Sequence, residues 1–155
     1  MQSVGKRITY VGPLQVSNDI TISTVDSGNT TGGAINFAGT VDSGPAGFNK
    51  NNFALNVNSG SANAVTFGQV VGATKDLRTL TATGSAINLK SVKTLNAQAY
   101  NGPIVLNSDT RLQTTGAVGD FVTFNCTIND TTAGTDALIG NAGSGAVAFN
   151  QAVGG

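Results

Sequence analysis

Residues 34–43 read AINFAGTVDS and residues 121–130 read FVTFNCTIND. In each, an apolar residue and a Phe flank one position of other character, and a small corner leads into a second short apolar segment. Self-similarity at a long fixed distance marks a repeat architecture, so it is weighed before any single element. Upstream, residues 10–22 (YVGPLQVSNDITI) answer residues 100–112 (YNGPIVLNSDTRL) at an offset of 90, which aligns Tyr10 with Tyr100, Gly12-Pro13 with Gly102-Pro103 and Asp19 with Asp109. Downstream, residues 64–72 (AVTFGQVVG) answer residues 146–154 (AVAFNQAVG) at an offset of 82, with six of nine positions identical. The length changes fall in the Gly-, Ser-, Asn- and Thr-rich spacers, so loops vary while the apolar pattern holds. We read a single domain over residues 1–155, with long repeats at about 8–97 and 98–155, the second incomplete. Blocks about ninety positions apart are expected to lie directly over one another, Phe37 with Phe124. The second repeat lacks a counterpart of residues 74–90, so a longer chain or another copy is expected to continue the stack.

Inside each long repeat a shorter unit recurs, an apolar-x-apolar segment followed by a polar or Gly corner: Ile20-x-Ile22, Ile35-x-Phe37, Phe53-x-Leu55-x-Val57, Val65-x-Phe67, Ile87-x-Leu89, Ile104-x-Leu106, Val122-x-Phe124 and Val147-x-Phe149. Alternation of period two sends successive side chains to opposite faces of a strand. The segments between (DSGNTTGG, NSGSAN, TATGS, NAGSG) are turns, because Gly, Asn and Asp adopt positive φ or bond their own backbone. No convincing helix is present. Residues 69–80 (QVVGATKDLRTL) come nearest, but Gly72 interrupts them and their Val and Thr suit a strand. The expected core is Ile35, Phe37, Val41, Val65, Phe67, Val71, Ile87, Leu89, Val122, Phe124, Ile128, Val147, Phe149 and Val153.

Composition agrees. The 155 residues suffice for one sizeable core. Only 10% are charged, against about 25% in ordinary soluble domains, and all eight acids are Asp. Thr (20), Asn (17) and Ser (11) supply the polarity instead, which suits strands and tight corners rather than solvated helices. With no His there is no Ser-His-Asp triad, no His-ligated zinc and no imidazole acid or base. A net charge of zero gives no field for nucleic acid or an anionic membrane. No apolar run approaches the ~18 residues of a membrane span, and MQSVGKRITY lacks the apolar core of a signal peptide. The single Cys126 falls in an expected strand and reads as a small buried hydrophobe.

Such strands close either as a sandwich of hairpins or as a solenoid in which equivalent strands stack in parallel. Stacked rungs repeat every ~4.8 Å, where rows of like charge would repel, so the scarcity of charge favours the solenoid. At about 20–30 residues per coil the chain makes about six coils. AINFAGTVDS, with AVTFGQVVGATKDLRTLTATGSAINL and NAQAYNGPIVLNSDTRL, resembles the long repeats of filamentous-haemagglutinin-like and autotransporter-type exoproteins. That resemblance, which covers about residues 8–155, implies an all-β fold, a right-handed parallel β-helix (β-solenoid), and a place in the shaft of a secreted or surface-anchored bacterial protein.

Candidate sites are few. The Asp residues at 26, 42, 109 and 130 adjoin Ser, Gly, Asn or Thr and read as turn caps rather than as the carboxylate cluster of a polysaccharide-cleaving β-helix enzyme. The calcium-binding nonapeptide is absent. Thr79, Thr81 and Thr83 form one row of the kind an ice-binding ladder needs, but the neighbouring rungs expected from spacing, Asn88, Lys90 and Asn96, do not repeat it. Tyr10 and Tyr100 are expected at equivalent corners with the ring over the turn. Lys90, Lys93 and Arg78 are too sparse for a nucleic-acid patch, and the triplets at Asn29, Asn125 and Asn129 that fit a glycosylation acceptor are common in any Asn/Thr-rich chain. The expectation is a non-enzymatic, extracellular structural solenoid without catalytic residues, cofactor or metal. Its partners are the rest of a larger chain or further copies of itself through open ends. The alternatives are a filament subunit as against an exoprotein fragment and, more distantly, a polysaccharide-degrading or ice-binding solenoid.

Overall fold

The structure, a computed structural model, describes residues 1–44, 52–115, 117 and 119–154. Among them every regular element is a strand, and no helix occurs. Part of the spacer at 44–63, and Gly155, lie outside the described residues. Numbered in chain order, β1 (Ile8–Tyr10), β4 (Ile35–Phe37), β7 (Ala64–Phe67), β9 (Ala86–Asn88), β12 (Ile104–Leu106) and β15 (Ile128–Asp130) form a first sheet in that spatial order. A second sheet is in two parts, β2 (Leu14–Val16) with β5 (Val41–Ser43), and β10 (Val92–Thr94), β13 (Thr110–Thr114) and β16 (Leu138–Asn141). Single bridges from Val41 to Val71 and from Val71 to Val92 join the parts. The third sheet orders β3 (Ile20–Ser23), β6 (Leu55–Asn58), β8 (Leu80–Thr83), β11 (Gln98–Asn101), β14 (Val122–Phe124) and β17 (Val147–Phe149).

Every strand pairing is parallel. A tight hairpin cannot join parallel strands. The chain instead passes from first sheet to second to third and back, with Val71 holding the second-sheet place between β7 and β8. The period-two pattern then works as the sequence requires. Ile8, Ile35, Val65, Ile87, Ile104 and Ile128 lie opposite one another along the first sheet, and all are buried in one hydrophobic cluster. On the third sheet the inward row Ile22, Val57, Ala82, Tyr100, Phe124 and Phe149 places small Ala82 beneath the large Tyr100 ring.

The duplicated blocks do not lie over one another. Residues 34–43 supply β4 and β5, in the first and second sheets, whereas residues 121–130 supply β14 and β15, in the third and first. Phe37 packs between Tyr10 and Phe67, and Phe124 between Tyr100 and Phe149. Strands that touch are instead 17 to 35 positions apart, as from Ile87 to Ile104 and from Ile20 to Leu55. The number of strand places between the copies is not a multiple of three, so each copy is displaced by one sheet.

Other expectations change with position. Of the expected core, Phe149 is 48% exposed and Val153 55% exposed, and Val147 is half-buried. They belong to the outermost rungs, where no described strand packs beyond them. Tyr100 is not at a corner but wholly buried in β11, and Tyr10 is the outer ring of β1. Cys126 lies in the bend between β14 and β15 and is only half-buried. In residues 69–80, Val71 and Leu77 make isolated bridges, and β8 starts at Leu80.

Candidate functional site

The molecule's chemistry is concentrated at its edges and at the aromatic columns that run toward them. At the C-terminal end the outermost strands are β16 and β17, and Val153 forms a parallel bridge outside Ile128 of β15. Phe149, Val153 and the 51% exposed Ile139 lie on this end. A groove of about 330 Å³ lined by Leu106, Ile128, Leu138, Val153, Asp130 and Asp136 opens there. At the N-terminal end, Gln2 bridges Ser23 of β3, so residues 1–3 run along the outer side of the third sheet, while β1 and β2 are the outermost strands of the other two.

Two columns of rings run through the core. Tyr10, Phe37 and Phe67 stack at centroid spacings of 5.2 and 5.0 Å and within 6° of parallel. Tyr100, Phe124 and Phe149 stack at 5.5 and 5.0 Å within 16°. Parallel in-register pairing forces this, since each ring repeats at the strand spacing. The Tyr100 hydroxyl, far from water, donates to Gln98 Oε1 at 2.8 Å, and Gln98 Nε2 donates to the Gln113 carbonyl at 2.9 Å. Burial pushes the Tyr100 hydroxyl well above its ordinary pKa. This chain of bonds lets a polar pair sit in an apolar stack, because a buried polar group without a partner is costly.

Beside the second column runs a ladder that sequence spacing did not reveal. Asn150 Nδ2 donates to Asn125 Oδ1 at 2.7 Å, Asn125 Nδ2 to Asn101 Oδ1 at 2.6 Å, and Asn101 Nδ2 to Thr83 Oγ1 at 3.2 Å. The available signal was the dipeptides Tyr-Asn, Phe-Asn and Phe-Asn at 100, 124 and 149. The threonine row has neighbours other than those expected: Thr81 lies between Asn56 and Ala99, and Thr83 between Asn58 and Asn101, not beside Asn88, Lys90 or Asn96.

The aspartates bond to backbone. Asp26 Oδ1 accepts from the N–H of Gly28 and Asn29 at 2.9 and 2.8 Å, a local turn. Asp42 lies within β5 instead, and it and Asp109 tie separate segments together, accepting from Thr74 at 2.7 Å and Ala137 at 2.9 Å. Asp19 accepts from Ala54 N–H at 2.9 Å and pairs with Arg78, which removes Arg78 from the expected basic group. The Ala54 bond first, then Arg78, hold the Asp19 carboxyl below its usual range. Asp109 and Asp130, expected as separate turn caps, share one corner with Asp136. Partial desolvation raises Asp136, and the charges of Asp130 and Asp109 raise it further. Asp130 also feels desolvation, but the N–H groups of Asp136, Thr132 and Thr135 outweigh it and lower its pKa. Only Asp130 and Asp136 line the groove, and among the described residues no three acids are placed to hold a metal ion. Nor does any described helix have the length and apolarity to cross a membrane.

The chain matches no family model, no curated protein and no solved structure.

Proposed function

We propose that this chain is a non-enzymatic structural element, a right-handed parallel β-solenoid of six coils that take one strand place from each sheet in turn. It serves as shaft in an extracellular or cell-surface bacterial fibre of the filamentous-haemagglutinin-like kind, continuing end to end into the rest of a larger exoprotein or into further copies of itself. The observation that carries this reading is the register. Like residues lie opposite one another from rung to rung, and the inward rows and ring columns run to the outermost strands, where Phe149 and Val153 remain half exposed. Unpaired strand edges of this kind recruit further strands unless a cap hides them. Parallel ladders around a continuous apolar stack supply stiffness, and low charge lets rungs approach. Light scattering behind size-exclusion chromatography, with negative-stain microscopy of the 155-residue chain, tests the reading. Growth with concentration along one axis into objects of one width is expected. A concentration-independent globular monomer that degrades a polysaccharide would overturn it.

A further inference from the structure

We infer that the C-terminal end of one molecule seats the N-terminal end of a second copy in one particular rotation, turned by one sheet, so that the upper copy's β1 lies on the lower copy's β17. This rests on the end-to-end reading above and specifies its partner and geometry. Three observations select the same rotation out of the three that sheet-on-sheet stacking allows.

The first is the ring columns. The column Tyr100–Phe124–Phe149 ends half exposed on β17 in the third sheet, whereas Tyr10–Phe37–Phe67 begins on β1 in the first sheet. Seating β1 on β17 puts the upper Tyr10 over the lower Phe149 and merges two three-ring stacks into one of six. Without the turn, β1 falls on the first sheet, beyond Val153, and both columns end at the junction.

The second is the count of strand levels. Chain order at the C-terminal end runs β16, β17, then Val153 on the first sheet, so the next place is on the second sheet, outside β16. At the N-terminal end residues 1–3, β1 and β2 occupy successive places. In the turned arrangement residues 1–3 of the upper copy come onto β16, β1 onto β17 and β2 outside Val153, and no level is skipped. Between the described strand places of two such copies the other rotations leave one or two levels without a strand, each a gap of about 4.8 Å in backbone pairing. The third is internal precedent. The same displacement, first sheet to third and second to first, relates β4 and β5 to β14 and β15 within one chain. The contact is heterologous and does not close on itself, so it propagates.

Cysteine cross-linking in a C126S background tests the rotation. Phe149 is opposite Phe124 in register, so the upper Tyr10 opposite Phe149 brings the 81% exposed Val11 beside Asn150. In-register neighbours lie within the Cα range a disulfide spans. The double variant V11C/N150C is expected to give a reducible ladder of dimers, trimers and higher species on mild oxidation. The pair R7C/A152C, which reports the unturned arrangement, is expected to give none. A ladder from R7C/A152C, or fibres that neither pair cross-links, overturns the rotation while leaving the shaft reading standing. Chains that remain monomeric at every concentration overturn the second-copy partner altogether.

Discussion

Asp136 is the clearest case of a residue set by its neighbours. Desolvation and the nearby carboxylates of Asp130 and Asp109 raise its pKa, so its charged form is disfavoured in the folded chain relative to the unfolded one. A raised carboxyl is protonated more readily when folded. Stability is therefore undiminished below the ordinary carboxyl value and falls as pH rises through the raised one. Asp136→Asn is expected to raise the melting temperature at pH 7, with the advantage vanishing near pH 3. Thermal melts across that range check it, and an advantage independent of pH would assign the effect to something other than charge. Asp130 works in the opposite direction. Its oxygens accept three backbone N–H groups at 2.8 to 3.1 Å, which fixes the corner at the cost of crowding Asp136. Gly32 shows the same local determinism in backbone form: it holds φ +67°, and a Cβ there would come within 2.1 Å of the Ser59 carbonyl oxygen.

Among the elements, the ring columns decide the register. A one-residue slip of β14 against β11 and β17 would turn Phe124 outward and bury Thr123 or Asn125 instead, since side chains alternate. Phe124→Ala removes the central ring of its column, which is buried and stacked on both sides. It is expected to cost about 3–5 kcal/mol in urea unfolding, whereas Phe149→Ala, half exposed at the outermost rung, should cost clearly less in the unassembled chain. Equal losses would mean that the column is not the unit of packing. Much at this scale was legible in the sequence. The apolar-x-apolar units at 20, 35, 65, 104, 122 and 147 all lie in strands, because inward and outward alternation is a local property. Strands such as β10, β13 and β16 were not legible. Thr94, Thr110, Thr114 and Gly140 take inward places there, so the apolar row that marks a strand is broken.

Over the whole molecule, contacts are chiefly between neighbouring rungs, so stability is shared between adjacent strands rather than pooled in one centre. Opening is then easiest at the ends. Amide hydrogen exchange is expected to be slowest in β8, β9, β11 and β12, which have strands on both sides, and fastest in β16 and β17. Association through the C-terminal end should slow β17 in particular. Exchange in a dilute monomer that is as slow in β17 as in β11 would contradict this gradient.

The sequence by itself determined that the chain is all strand and corner, which side of most strands is apolar, and that its two halves share a pattern, because each of these depends on residues a few places apart or on direct comparison of the copies. Which strand lies on which was decided only in three dimensions. Spacer lengths and the single-residue contribution of Val71 set how many strand places separate the copies, and that count turns the second copy by one sheet. Phe37 and Phe124, alike in sequence, therefore end up in separate columns, and the Asn101–Asn125–Asn150 ladder exists only because the intervening segments bring those three residues level.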